Sequence, residues 1–315
     1  MKLLTTIIVS GTLATPALAC DLCAIYSANQ ARGEIGKGPF AGVAEQFTHF
    51  GTVQVDGQKV GNPTGQYLDS SISQIFAGYN LNERFGLQLN VPLISRSFQR
   101  PQGLAIDHGA ESGLGDLSLV GHFQAFRYEE KHFTFSWSVL GGVKFPTGDD
   151  ARIKEEFNET EVPGAPLSGI HGHDLTLGTG SFDGIVGAGI FLRRNRLFLT
   201  AATQYAIRSQ GDFNYRFADD LTWLGGPGYL LALHDKYTLA IQAIVSGEAK
   251  GKDTFRGEKA EDTGVTAVYL GPQITFTWSD KLSAEAGVDF PVTIRNTALQ
   301  TVPDYRVRAG LTWHF

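Results

Sequence analysis

Beyond its first nineteen residues the chain has no stretch approaching the roughly 18 uninterrupted apolar residues of a membrane helix. Charged residues are scarce too, 18% of the chain against about 25% in soluble domains, which does not suit an ordinary soluble surface. There is no basic excess: the net charge is -6, and a nucleic-acid partner would want a basic stripe. Cys20 and Cys23 are the only cysteines. What the N-terminus does have is a secretory signal over residues 1–19, with Lys2 as its charged start, Leu3 to Leu13 as its mostly apolar middle and Ala17-Leu18-Ala19 as its cleavage site. Its middle is too short to span a bilayer. If the mature chain sits in a membrane it must be a closed barrel, because only helices and barrels satisfy every backbone group in lipid.

The C-terminal segment Asp304–Phe315 alternates. Tyr305, Val307, Ala309, Leu311, Trp313 and Phe315 share one face, while Asp304, Arg306, Arg308, Thr312 and His314 share the other. The terminal Phe315, with Trp313, resembles the insertion signal of bacterial outer-membrane barrels, which implies outer-membrane lipid and the barrel-assembly machinery as partners. Strand-like runs lie near 42–55, 66–79, 84–98, 114–128, 133–147, 180–193, 196–209, 221–233, 236–249, 264–278, 281–294 and 304–315. That is an even number, each run long enough to cross a membrane when tilted. Tight turns at Asn80–Glu83, Tyr128–His132, Arg194-Asn195, His234-Asp235 and Ser279-Asp280 alternate with polar loops at 56–65, 99–113, 148–179, 210–220, 250–263 and 295–303. Short turns on one side and long loops on the other are the outer-membrane arrangement. The fold expected is an all-β antiparallel transmembrane barrel of about twelve strands over 42–315, preceded by an N-terminal periplasmic or plug segment over 20–41.

Faces follow where the period is clean. Phe85, Leu87, Leu89, Val91 and Leu93 are expected outside, with Gln88, Asn90 and Arg96 inside. In 281–294, Ser283, Glu285, Gly287, Asp289 and Thr293 are expected inside. In 42–55, Glu45 and His49 share a face with Val43 and Phe47, and the faces of this run and of 66–79 stay open. The inward charges that can be assigned are Arg96, Asp116, Lys144, Glu285, Asp289, Arg306 and Arg308. Both signs occur, unlike the one-sign track of a pore for acidic sugars, and Arg306 and Arg308 are expected to pair with Glu285 and Asp289 on the preceding strand.

Asn90-Val91-Pro92-Leu93-Ile94, Ser112-Gly113-Leu114-Gly115-Asp116-Leu117-Ser118-Leu119 and Gly142-Val143-Lys144-Phe145-Pro146-Thr147-Gly148-Asp149 resemble the family labelled "MetA-pathway of phenol degradation", a group of outer-membrane transporters. Asp289-Phe290-Pro291-Val292 echoes the first of them. The resemblance implies a barrel with a transport role and does not name a solute. Physically, Pro92, Pro146 and Pro291 each remove a ladder donor, so a bulge or a break in pairing is expected at each.

Cys20-x-x-Cys23 admits a local disulfide, a metal site completed by a histidine or a periplasmic partner, or lipidation of Cys20. Ala24 stands where haem attachment needs histidine. His171, His173 and Asp174, in the longest loop, form a weak metal candidate. Lys154-Glu155-Glu156 and Glu159-Thr160-Glu161 read as a solvated acidic face. A hydrolase needs a nucleophile beside a histidine, and no motif around Ser118, His122 and Gln124 supports one; no enzyme and no cofactor are expected. The function expected is passive passage of a small-molecule solute through a narrow, mixed-charge lumen, gated by the N-terminal segment or the 148–179 loop. Two alternatives stand beside it: uptake of hydrophobic or aromatic compounds through a lateral opening, and a structural barrel docking a periplasmic partner through Cys20 and Cys23.

Overall fold

The computed structural model describes residues 37–157, 162–279 and 281–315. Residues 1–19 expected as a signal peptide, Cys20, Cys23, the segment Ala24 to Gly36 and Glu159-Thr160-Glu161 therefore lie outside the described residues. Thirteen strand segments build the wall: β1 (Gly38–Val55), β2 (Tyr67–Asn80), β3 (Phe85–Gln102), β4 (Ala105–Leu114), β5 (Ser118–Glu130), β6 (Phe133–Lys144), β7 (Asp183–Arg194), β8 (Leu197–Ile207), β9 (Asp220–Leu233), β10 (Tyr237–Lys250), β11 (Val265–Trp278), β12 (Leu282–Asn296) and β13 (Leu299–His314). All neighbours are antiparallel, and β13 pairs with β1 from Phe40↔His314 to Val55↔Leu299, closing the ring. Because β4 and β5 both lie against β3, they are two halves of one strand, and the barrel has twelve staves. The wall begins at Gly38, a few residues before the expected boundary.

Side-chain direction follows the pleat. Leu87, Leu89 and Leu93 of β3, Trp137 and Val143 of β6, and Ile241 and Val245 of β10 are exposed on the outside, while Gln88, Asn90, Arg96, Thr134, Ser136 and Lys144 are buried inside. An apolar outer surface around a polar interior inverts a water-soluble protein; it is the surface a barrel presents to lipid. Trp278 and Trp313 stand exposed at the short-turn ends, where aromatic girdles sit.

One sector departs from this pattern, and it is the one whose faces the periodicity left open. In β1 and β2 the lumen side carries Phe40, Ala44, Ile72 and Phe76, which pack with Ile94 and Leu177. The outer side carries Glu45, whose carboxylate accepts from Ser71 at 2.5 Å and from Ser73. Above it, His49 meets Asp69 at 2.6 Å and stacks on Tyr305. Polarity is partly reversed here, so binary patterning alone had no answer.

The prolines interrupt pairing as expected, and the interruptions shape the wall. Pairing of β3 with β5 stops at Asn90↔Ser118 and resumes with β4 at Leu93↔Leu114, leaving Pro92 opposite the break at Gly115–Leu117. Pro146 follows the end of β6. At Pro291, Tyr269↔Pro291 is followed by Val268↔Thr293, so Val292 bulges. The bulge shifts the alternation by one residue and turns Thr293 outward, correcting its expected inward placement. Gly226-Pro227 and Gly271-Pro272 make two further gaps, with pairing jumping from Gly225↔Val245 to Gly228↔Gln242 and from Leu270↔Phe290 to Gln273↔Gly287. Gly226 has φ +156°, and a Cβ there would stand 1.9 Å from the Ala243 carbonyl oxygen, so only glycine fits. The run 99–113, expected as a loop, is instead the tip of the β3–β4 hairpin.

Candidate functional site

The lumen holds the chemistry. Asp116 lies in the break between β4 and β5, where its carboxylate accepts from the Gly148 and Thr179 amides at 3.0 and 2.9 Å. Lys144, at the end of β6, reaches Asp116 and Asp183, each at 2.8 Å. Arg208 donates to Asp183 at 2.8 Å and to Asp220 at 2.9 and 2.6 Å. Two cations thus sit among three carboxylates along one side of the interior, all buried. The break itself is bridged by chain from beyond β6: Phe145 N–H donates to the Leu117 carbonyl at 2.8 Å, and Leu117 N–H to Thr147 Oγ1 at 2.8 Å. Among the described residues, no strand pairs with the far edge of β4, which meets β3.

A second group lies across the barrel. Arg308 forks onto Asp289 at 2.8 and 2.9 Å, the cross-strand pairing expected. For Arg306 the ion pair is instead with a carboxylate farther round the wall. Arg306 meets Glu248 on β10, with its guanidinium 4.0 Å from the Tyr269 ring centre, and Tyr269 donates to the same Glu248 oxygen at 2.5 Å. The reason is the curvature of the wall: β10 and β13 are not neighbours, but closure turns their inner faces toward each other. Glu285 faces Gln273, which donates to it at 3.3 Å.

Over the mouth lies the long loop after β6. It carries a 3-10 turn (Ala151–Phe157) and one helical turn, α1 (Gly172–Leu175). Ile153, Ile170 and Leu175 are wholly buried. The loop crosses to the opposite wall, where Gly169 N–H donates to Gln66 at 2.8 Å and Thr301 N–H to the Gly169 carbonyl at 2.7 Å. Arg96 donates to the carbonyls of Asp174 and Thr176, the latter at 2.9 Å.

Glu155 and Glu156, expected on a solvated face, are instead held in ion pairs. Glu155 binds Arg100 at 2.6 Å and also Arg152, and Glu156 holds His173 at 3.0 Å. His173 is fully buried; burial alone would favour the neutral ring, but Asp174 and Glu156 outweigh it and hold its pKa well above the usual imidazole range. Burial likewise opposes the Glu156 charge, yet His173 draws its pKa down to about 2. His171 stacks on His173 with ring centres 5.7 Å apart and faces Asp262 at 3.4 Å. These histidines are engaged with carboxylates, and among the described residues no three metal-ligating groups gather around a common point. His122 packs edge-on against Phe40.

Among the described residues, three cavities inside the wall bear on the path. The outermost, about 80 Å3, is bounded by Phe50, Ile170, Phe217, Lys250, Glu248 and Arg306. A middle one of about 40 Å3 runs between Glu248, Arg306, Asp289, Leu224 and Gln204. The third, also about 40 Å3, is bounded by Gln204, Asn90, Pro92, Asp116 and Lys144, beside the break in the wall.

Of the seven charged residues expected inside, Arg96, Asp116, Lys144, Asp289 and Arg306 are buried, and Glu285 and Arg308 are half-buried. Sequence reasoning missed Asp183, Arg208, Asp220, Glu248 and Lys250. Lys250 and Asp220 fell in expected loops, while Asp183, Arg208 and Glu248 were within expected strands and would have been found by extending the alternation to the strand ends.

No family model matches this chain, and no curated protein sequence matches it. Among solved structures it is similar to the COG4313 outer membrane channel from Pseudomonas putida F1, at 16% identity over 89% of this chain and 97% of that one, with a TM-score of 0.60. Looser likenesses are the β domain of the Bordetella autotransporter BrkA (10% identity, 88% and 99% covered, TM-score 0.45) and the translocator domain of NalP from Neisseria meningitidis (12% identity, 89% and 90% covered, TM-score 0.41). The first likeness, with the closed ring, shows the fold: a closed antiparallel β-barrel of twelve staves.

Proposed function

We propose that the protein is a channel of the bacterial outer membrane that passes small molecules by diffusion through a narrow, mixed-charge lumen. The observation that carries this reading is the series of cavities lined by buried, paired charges within a closed wall. A barrel whose only role was structural would gain more by filling that space with apolar side chains. The loop that crosses the mouth is the gate in this reading. Arg96, Asp116, Lys144, Glu285, Asp289, Arg306 and Arg308 line the path. Planar-bilayer recording of the purified mature protein tests it: stable single-channel current in salt is expected, and folded protein that carries none would sink the diffusion channel.

A second reading is favoured by the break opposite Pro92. The third cavity abuts the point where β4 ends and β5 begins, so a hydrophobic or aromatic solute that moves aside the Phe145–Thr147 bridge would pass from lumen to membrane. Ser118→Cys labelled with a bulky thiol reagent should then abolish uptake of an aromatic solute into cells while sparing potassium current. Equal loss of both would leave only the axial path.

Trp313 and Phe315 are proposed as the assembly signal. Both are exposed on the outer face, and Phe315 N–H donates to the Pro39 carbonyl at 3.1 Å, at the seam where the ring closes. Phe315→Ser should lower the amount of folded barrel recovered from outer membranes without changing the current of the molecules that do fold.

A further inference from the structure

The three cavities share residues in a definite order. Glu248 and Arg306 border both the outermost and the middle cavity, and Gln204 borders both the middle cavity and the one beside the wall break. Each junction carries a buried acceptor with no partner. Glu248 is 4% exposed and Gln204 6%, yet Glu248 Oε2 and Gln204 Oε1 receive no hydrogen bond. The Glu248 case is sharp, because Arg306 and Tyr269 both donate to its other oxygen, so the carboxylate stands half satisfied. A buried acceptor left bare costs about 1–3 kcal/mol, more for a charged group, and a passing donor removes that cost.

The junction cations each stand in an ion pair, although the Arg306 Nε makes no hydrogen bond of its own. Arg308 has its Nε and one terminal nitrogen on Asp289 and the other terminal nitrogen within 3.3 Å of Gln273. Arg306 is held by Glu248 and lies over the Tyr269 ring. A solute carboxylate or phosphate would therefore have to displace an existing ion pair, whereas a donor finds its acceptors waiting. Gln204 carries both donor and acceptor on one amide, so Glu248, which only accepts, determines the sign. Thr222 lies between Gln204 and Glu248 on the strand that joins them, in register with both. Leu224 lines the middle cavity as an apolar wall beside the acceptors.

We infer that this path selects small primary ammonium ions, which step from Glu248 to Gln204 with the alkyl part against Leu224. The inference rests on the channel reading and names its preferred solute class. A cavity of about 40 Å3 has room for a few water-sized groups, which limits the solute to the size of methylammonium or little more.

The test uses methylammonium with methanol and acetate as neutral and anionic counterparts. Saturation-transfer NMR on the folded, detergent-solubilised protein reads binding without requiring current, and reversal potentials in planar bilayers read permeability. Transfer to methylammonium well above that to methanol or acetate is expected, together with methylammonium permeability several-fold above acetate. Glu248→Gln should lower methylammonium permeability about tenfold, the factor that one lost charge-assisted hydrogen bond brings. Gln204→Met should lower it while leaving the Arg306–Glu248 pair in place, which guards against misfolding of the first variant. Absence of transfer to methylammonium, equal transfer to methanol, or permeability unchanged in both variants overturns the inference. Binding with no current would uphold the site and overturn the channel reading instead.

Discussion

The Arg96 guanidinium lies 2.9 Å from the Thr176 carbonyl, tying the third stave of the barrel to a loop that leaves the wall between β6 and β7. Because Arg96 also donates to the Asp174 carbonyl, one side chain holds both ends of the last turn before the loop returns to the wall. Both bonds come from one terminal nitrogen, Nη1, so the hold depends on a single cationic group. Arg96→Met should therefore release the loop, and single-channel current should become larger and noisier. Unchanged current would show that the loop does not limit passage.

The pairing of Lys144 and Arg208 through Asp183 leads to a second expectation. Both cations lose a partner if that carboxylate is removed, and breaking a buried pair typically costs about 3–5 kcal/mol. Asp183→Ala should lower the denaturant midpoint of the vesicle-embedded barrel accordingly. Molecules that still fold should shift toward anion selectivity, since two positive charges then face the third cavity with less compensation. A midpoint equal to wild type would mean that solvent enters this network freely.

The His173–Glu156 contact predicts how the loop responds to pH. His173 has a raised pKa in the folded protein, so its contribution is fully present below the ordinary imidazole value and is lost as pH rises through the raised one. Glu156 has a depressed pKa, so its contribution is present above the ordinary carboxylate value and is lost as pH falls toward about 2. The loop should stay docked through the neutral range and loosen in alkali. Hydrogen exchange at the Gly172–Leu175 amides should accelerate there, and His173→Gln should abolish the alkaline step. Exchange that ignores pH in the wild type would rule this latch out.

Glu45 faces outward from β1 with Ser71 and Ser73 donating to it. Both hydroxyls removed together, Ser71→Ala with Ser73→Ala, leave a carboxylate on the outer wall without side-chain donors. A loss of about 1–3 kcal/mol is expected, measured by denaturant unfolding in lipid vesicles. The triple variant that also carries Glu45→Leu should recover most of it, because removing both partners leaves no unsatisfied group. If the triple variant is no more stable than the double, the carboxylate is satisfied by something other than the two serines.

Much of the fold was legible because a strand writes its two faces into alternate residues. Phe133 to Phe145 and Phe85 to Leu93 show their outer face plainly, and the alternation of tight turns with long loops ordered the staves. Reading failed where the local pattern and the wall disagreed. Glu45, Ser71 and Ser73 point outward while Phe40, Ile72 and Phe76 point inward, so polarity does not report the side. Thr293 follows a bulge that a period-two reading steps across. The 99–113 run looks like a loop because its charges serve the mouth, and Arg100 there binds Asp107 and Glu155.

By itself, the sequence determined that the chain crosses a membrane as a closed antiparallel barrel, which staves are neighbours, and which charges turn inward on the regular strands. All of these are local or nearest-neighbour properties, set by the pleat and by short turns. Only the tertiary structure decided that Arg306 meets Glu248 and that residues 162–179 cross the mouth to reach Gln66 and Thr301. It also decided that the break opposite Pro92 is bridged by Phe145 and Thr147. Those contacts join residues many positions apart whose meeting depends on how far the sheet shears as it closes, a quantity summed over twelve strands and written in none of them alone.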